Sequence, residues 1–391
     1  MEEELTYDVA VVGGGLVGSS LVAALDGSGL QVALVDATSQ SPLHEAIGDW
    51  DVRVFAISPG SERFLTSIDA WPFEAGRIAR VLGMRVFGDR PGGRIDFDAR
   101  EAGAAHLASI VENRLLAQAL SSRLGQIAGL RIVRSAATEV RLEEDWAALQ
   151  LVDGRTLRTR LLVGADGARS WTRSQFGIEA SVRPYGQTAV VANFACETAH
   201  RGVAWQWFRP DGVLALLPLP GQRCSMVWSA SEALAADLMS MDAGALAVCV
   251  AEAANGALGA LAPITPPAAF PLQLVRVPHL VRPRLALVGD AAHNLHPLAG
   301  QGVNLGFQDA AELARVLRER RACRDVGQFR LLRGYERARR EDILAMTMAT
   351  DGLQRLFGHP ASAVRWIRNS GLALVDRAPP LKRLLIRQAF G

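Results

Sequence analysis

The run from Gly289 to Gly306 gathers groups able to do chemistry: an acid at Asp290, histidines at His293 and His296, and glycines at Gly300, Gly302 and Gly306. The apolar stretch Leu285 to Val288 before it reads as a short buried strand. Phe307 to Leu317 after it has apolar residues at helical spacing with acids in the first turns. Glycines between a strand and a helix let the backbone turn sharply and approach a ligand, and the free N–H groups of the first helical turn carry partial positive charge. Such a loop suits an anionic or electron-rich group; a tight turn with no ligand is the alternative. The histidines do not read as a metal site, because no acid or cysteine completes a ligand set and Pro297 favours an irregular loop.

A second loop of this kind opens the chain. The β-rich run Tyr7 to Val12 leads into Gly13, Gly15 and Gly18, spaced Gly-x-Gly-x-x-Gly, then a helical segment Ser19 to Asp26 and a strand Gln31 to Val35 that ends at Asp36. The glycines admit a pyrophosphate close to the backbone, the helix N-terminus faces the phosphates, and an acid about 20 residues on accepts the ribose hydroxyls. This order points to an adenine dinucleotide, with NAD and FAD not separated by the motif. Arg53, within Asp51 to Ile57, has the planar fork that suits a dinucleotide phosphate, or it pairs with Asp49 or Asp51 at the surface. Asp166, in Gly164 to Ser170, is either a turn former or part of another loop converging on the same ligand, since it repeats the pattern of Gly289-Asp290.

These groups need a scaffold. Ser58 to Ile68 reads as a helix with Pro59 at its first position. Val81 to Phe87 and Gly93 to Phe97 are strand-like around Asp89 to Gly93, a hairpin excursion from the first domain. Val111 to Leu124 has helical spacing, with Arg114 near its start. Arg131 to Val133, Ala137 to Arg141, Ala147 to Val152 and Leu161 to Val163 alternate like strands, with the hairpin signal Asp153-Gly154 among them. Between Pro184 and Pro271, Val203 to Phe208, Val213 to Leu217 and Ser225 to Ser229 suggest an antiparallel sheet, followed by an Ala-rich helical stretch. One face of such a sheet offers a wall for a flat ligand. Trp205 and Trp207 share a strand face, where ordinary core packing is the expected role of each.

Composition sets limits. A chain of 391 residues is too long for one ordinary core, so two closely packed domains are expected. Hydrophobic content of 49% with 21% charged residues describes a soluble globular enzyme. A formal net charge of +2, from 42 basic and 40 acidic residues, leaves no surplus for nucleic acid. Cys196, Cys224, Cys249 and Cys323 match neither a metal pattern nor a disulfide framework, and the acidic start Glu2-Glu3-Glu4 is unlike a secretory signal, so a cytoplasmic location is expected. There is no Gly-x-Ser-x-Gly hydrolase elbow.

Taken in order, Gly13-x-Gly15-x-x-Gly18, Gly164-Ala165-Asp166-Gly167 and Gly289-Asp290-Ala291-Ala292-His293 resemble the three flavin-binding motifs of the aromatic-hydroxylase type, class A flavoprotein monooxygenases. Within that group the chain is most similar to the ubiquinone-biosynthesis hydroxylases, through Asp51 to Ile57, His296 to Gly306, Thr350 to Leu353 and the ending Gly371 to Gly391. The resemblance spans essentially the whole chain; Asp36 departs from it where a longer glutamate is common. It implies an α/β fold in which an FAD-binding Rossmann-like domain is interleaved with an antiparallel-sheet substrate domain and followed by a helical C-terminal region. The expected boundaries are 1–75, 98–180 and 274–330 for the FAD domain, 76–97 for the hairpin excursion, 181–273 for the substrate domain and 331–391 for the helical region.

The resemblance also implies non-covalent FAD, with Gly13, Gly15 and Gly18 near the pyrophosphate, Asp36 on the adenosine ribose, Arg53 and Arg114 near the phosphates and ribose, and Asp290 near the ribityl chain or pyrophosphate. The backbone from Pro297 to Asn304, including Gly300, Gly302 and Val303, would bed the isoalloxazine ring, with no side-chain acid or base assigned. NAD(P)H or another donor would supply electrons, and oxygen would add at flavin C4a to give a hydroperoxide that must be shielded from water. The implied substrate is a polyprenylated phenol or benzoquinol, hydroxylated at C6 in a demethoxy-type intermediate or alternatively at C5. A reductase or dehydrogenase of the same fold, and a non-catalytic FAD subunit, are the other readings. A halogenase would need an active-site lysine, and the sole lysine is Lys382. After Pro379-Pro380, Leu381, Leu384, Leu385 and Ala389 share a helical face opposite Lys382, Arg383 and Arg387. That basic amphipathic segment suits a peripheral membrane contact, packing on the protein itself, or a subunit interface in a biosynthetic complex.

Overall fold

The computed structural model describes residues 4–37, 50–72, 75–89, 93–295, 300–321 and 323–358; His296, Pro297 and the segment from Leu381 to Ala389 lie outside them. The helices are α1 (Leu16–Ala24), α2 (Pro59–Ser67), α3 (Asn113–Gly125), α4 (Trp171–Gln175), α5 (Glu232–Ser240), α6 (Ala243–Ala253), α7 (Gly302–Arg318) and α8 (Phe329–Gly358).

The first sheet is built on the strand Glu4–Val12, which pairs in parallel with Val32–Val35 on one side and Thr156–Gly164 on the other. Arg131–Val133 and Leu285–Leu287 extend the parallel set outward, and Ala147–Leu151 and Ala137–Leu142 add an antiparallel hairpin. Val9, Ala10 and Val11 are all fully buried, as a parallel strand covered on both faces requires. Leu21 of α1 and Leu25 at its end, Leu116 and Leu120 of α3, Phe307 and Leu313 of α7 and Tyr335 of α8 fill one face. Leu285–Leu287, Thr156–Gly164 and Glu4–Val12 are neighbours in the sheet. Their carboxyl ends run directly into Gly289-Asp290, Ala165-Asp166 and Gly13, so three stretches far apart in sequence meet along one sheet edge, where open α/β sheets bind ligands.

The second sheet runs in the order His293–Asn294, Ala268–Arg276, Ser181–Cys196, Arg223–Ser231, Gly212–Leu219, Val203–Arg209, Gly83–Phe87, Arg94–Asp98. It is antiparallel except where the hairpin strand Gly83–Phe87 lies parallel to Val203–Arg209. Helices α5 and α6 cover one face, over Phe194, Leu214, Met226, Trp228, Trp205 and Trp207. The two tryptophans are core residues, and Trp207 stacks on Phe87 with centroids 5.5 Å apart. A small antiparallel sheet, Val54–Ile57, Ala108–Glu112 and Ala79–Val81, sits between the large ones.

Two expectations are corrected. The helix expected from Val111 begins at Asn113, because Ala108–Glu112 is a strand between Val54–Ile57 and Ala79–Val81. The stretch Val81 to Phe87 is two strands in different sheets, divided at the exposed Leu82.

Candidate flavin and substrate site

The helix N-termini separate into two kinds. Ser58, Ser170, Ser231 and Asp242 cap α2, α4, α5 and α6 with their own side chains. At α3 the carboxylate of Asp51 accepts from the Arg114 N–H at 3.0 Å, and the Arg53 carbonyl accepts from the Asn113 N–H at 2.9 Å. At α1 and α7 the capping positions are Gly15 and Gln301, and neither side chain caps its helix. These two helices pack together: a Cβ at Gly306 would lie 2.5 Å from Val17 Cγ2, so α1 approaches α7 this closely only because residue 306 is glycine. Among the described residues neither helix start carries a side-chain cap, the arrangement that suits a pyrophosphate at α1 and an electron-rich ring at α7.

The acids take distinct positions. The Asp36 carboxylate lies over Gly14, where a Cβ would meet its Oδ2 at 2.3 Å. Asp290 is open to solvent, yet burial by surrounding protein pushes its carboxyl above the ordinary range while nearby His293 and Arg53 pull it back. Asp166 does not aim its carboxylate at this edge: Oδ2 accepts from the Thr172 N–H at 2.8 Å and Oδ1 from the Ser170 hydroxyl. Its carboxylate serves its own turn and α4, and its backbone is what abuts Gly13. The guanidinium of Arg53 sits 5.1 Å from the ring centroid of Phe55 and 5.5 Å from that of Phe270, bridging the small sheet and the second large sheet. Arg114 lies 3.7 Å from Glu112 Oε1; that fully buried carboxylate also takes two bonds of 2.8 Å from Arg77.

The expected ring bed is held from behind. Asn304 is fully buried; its Oδ1 accepts from the Ser58 N–H at 2.9 Å, and its Nδ2 donates to the carbonyls of Ala56 at 2.8 Å and Gly300 at 3.2 Å. Gly300 has φ +61°, and a Cβ there would press on Ala56 Cβ at 3.1 Å. Gly302 differs, being the first residue of α7, without a positive φ and, among the described residues, with nothing within 4 Å of where a Cβ would be. The strained turn is at residue 300, and residue 302 contributes open space above the helix end. Val303, next along, packs partly against the main core.

The group that anchors this bed carries no motif of its own in the sequence. Asp309 is fully buried and accepts from the Gly289 N–H at 3.0 Å and from Arg339 Nε at 2.8 Å, while His293 Nε2 lies 2.6 Å from its Oδ2. Burial pushes the Asp309 carboxyl up, and His293 and Arg339 outweigh it, holding it below the ordinary value. His293 thus belongs to an ionic network, and no group of potential metal ligands occurs among the described residues. A helical Asp one turn after a glycine run and an Arg on the last long helix was the available signal.

These features fit a flavin dinucleotide: uncapped helix ends, an acid over the first glycine loop and an uncrowded helix start facing a second sheet. A family model described as FAD binding domain matches residues 107–350. The chain is 39% identical to ubiquinone hydroxylase UbiL of Rhodospirillum rubrum, over 98% of this chain and 89% of that protein. It is 33% identical to 3-demethoxyubiquinol 3-hydroxylase of Escherichia coli over 98% of each. The fold matches that of p-nitrophenol 4-monooxygenase PnpA from Pseudomonas putida with a TM-score of 0.79 at 18% identity, covering 99% of each chain. Fold and site together define an FAD-dependent monooxygenase. The chain belongs to the ubiquinone-biosynthesis FAD-dependent hydroxylases.

Proposed function

We propose that this enzyme adds one oxygen atom to the ring of a polyprenylated phenol or benzoquinol, with a demethoxy-type intermediate hydroxylated at C6 as the favoured substrate. The similarity over nearly the full length to UbiL and to the demethoxyubiquinol hydroxylase supports the substrate class. The observation that carries the reading is a strip on the second sheet's face away from α5 and α6, where Val191, Val227, Ala215 and Ala268 form a cross-strand apolar row suited to a flat, weakly polar ring. The balanced reaction takes ring C–H, oxygen, NAD(P)H or another two-electron donor and a proton to ring C–OH, water and oxidised donor.

In this reading the N-terminus of α1 with Gly13, Gly15 and Gly18 holds the pyrophosphate, and Asp36 holds the adenosine ribose. Arg53 and Arg114 neutralise phosphate charge, Asp290 orients the ribityl chain, and the Asp166 loop contributes backbone. The backbone of Pro297, Gly300, Gly302, Val303 and Asn304 beds the ring, with the α7 N-terminus placing partial positive charge beside it. When bound, FAD supplies electron storage and oxygen activation. The apolar sheet face and Phe270 exclude water from the reacting ring carbon.

Peripheral membrane contact, or docking in a ubiquinone-biosynthesis complex, is part of the same proposal. Leu344 is 47% and Met348 62% exposed one turn apart on α8, the helix that precedes the basic segment around Lys382 in the sequence. No helix among the described residues is long and apolar enough to cross a membrane. Mass analysis of quinone intermediates in cells lacking the protein tests the substrate: a demethoxy intermediate should accumulate, and an unchanged quinone pool would reject the proposal.

A further inference from the structure

Gln206 lies in Val203–Arg209 between Trp205 and Trp207, whose rings join the core under α5 and α6. Strand alternation therefore puts its amide on the opposite face. There its cross-strand partners are Ala215 on one side and Val86 on the other, and beyond Ala215 the register continues through Val227, Val191 and Ala268. The adjoining row is covered: Ala204 and Leu217 pack with Trp50 and Ala56, and Ala56 is the residue that touches Gly300. The row on the other side is covered too, because Phe208 and Val213 pack with Leu356 of α8. Ala215, Val227 and Val191 belong to neither cluster, so the amide of Gln206 stands in a strip between the edge of the ring bed and the end of α8.

Gln206 is 6% exposed, and none of the hydrogen bonds formed among the described residues involves its amide. Neither amide atom is among the fully buried side-chain atoms that lack a partner, so the small exposure that remains is at the polar end, which opens into the strip where leucine or methionine would present only carbon. The group also has both a donor and an acceptor, the pair that a ring hydroxyl needs and an apolar wall cannot supply.

We propose that Gln206 is a substrate-recognition residue, hydrogen-bonding an oxygen substituent of the ring and so selecting which ring carbon faces the flavin. This rests on the hydroxylase reading above and deepens it by naming an oxygenated arene as the ligand and one side chain that reads the oxygen. A site built around a hydrogen bond discriminates strongly against an analogue lacking the partner atom, whereas the apolar row alone would not.

The test is equilibrium binding of a short-chain prenylated phenol and its deoxy arene to the FAD-loaded protein, read by perturbation of flavin absorbance. Wild type should prefer the phenol, while Gln206→Met should bind it about tenfold more weakly and the deoxy arene no more weakly. A Gln206→Met protein that keeps the wild-type preference overturns the proposal alone. Wild type that binds neither ligand overturns the hydroxylase reading with it. Should Gln206→Met fail to load FAD, Gln206→Glu decides the question at a pH alkaline enough to ionise the new carboxyl, since the carboxylate keeps the shape but cannot donate. It should bind a ring methyl ether about tenfold more weakly than wild type, and equal binding overturns the proposal.

Discussion

His293 Nε2 and Asp309 Oδ2 lie 2.6 Å apart with both side chains buried, which ties the start of the third glycine loop to the middle of α7. Arg339 of α8 completes the network from the other side at 2.8 Å. Removing the central charge leaves the buried Arg339 with only the exposed Asp342 as a counter-ion, and Asp309→Asn should destabilise the protein by about 3 kcal/mol at neutral pH. The folded carboxyl titrates below its ordinary value of 3.8, so its stabilisation is full above that value and is lost as pH falls through the lower folded one. Urea unfolding of wild type and variant should show a gap at pH 7 that narrows below pH 3.8. A gap independent of pH would mean that the carboxylate charge is not what stabilises the loop.

At the adenosine end, Asp36→Ala should weaken FAD binding about ten- to a hundred-fold, through loss of charge-assisted hydrogen bonds worth roughly 1.5–3 kcal/mol. Titration of the apoprotein with FAD measures this. Unchanged affinity would remove Asp36 from the site, despite its place over Gly14.

The ring bed separates two glycines. Gly302→Val fills open space at the start of α7, so the protein should fold and keep FAD while losing hydroxylation, with reducing equivalents appearing as hydrogen peroxide. Gly300→Val forces a β-branched residue into a positive φ against Ala56, and should lower the thermal midpoint as well. FAD content after gel filtration, the product-to-peroxide ratio and a melting curve distinguish the two. Coupled hydroxylation by Gly302→Val would place the flavin ring elsewhere.

Deleting residues 380–391 should reduce activity on a long-chain substrate in vesicles far more than on a short-chain analogue in solution, if the basic amphipathic segment collects substrate from a membrane. Equal losses on both substrates would assign the segment to folding or assembly.

Much of this arrangement was legible in the chain because it is local. Strand, glycine loop, helix and acid follow one another from Tyr7 to Asp36, and each part declares itself within a few residues. The antiparallel sheet was visible through alternation and turns. What was not legible depends on groups brought together by tertiary packing. Asp309 becomes a hub only when α8 lays Arg339 beside it. Asp166 is claimed by the N-terminus of α4, a competition that the shared Gly-x-Asp pattern does not reveal. Val111 continued the helical apolar spacing of α3, but pairing with Phe55 holds it in a strand. Gln206 stands out only once Trp205 and Trp207 are seen to face the other way.

In the proposed reaction the chain's own bed and sheet face direct one atom of molecular oxygen into a substrate ring. Single-turnover reaction of the reduced FAD enzyme with ¹⁸O-labelled oxygen and a demethoxy-type prenylated benzoquinol, analysed by mass, tests it most directly. One labelled oxygen atom is expected in the new ring hydroxyl. A product that carries oxygen only from water, or consumption of oxygen with no hydroxylated ring, would contradict it.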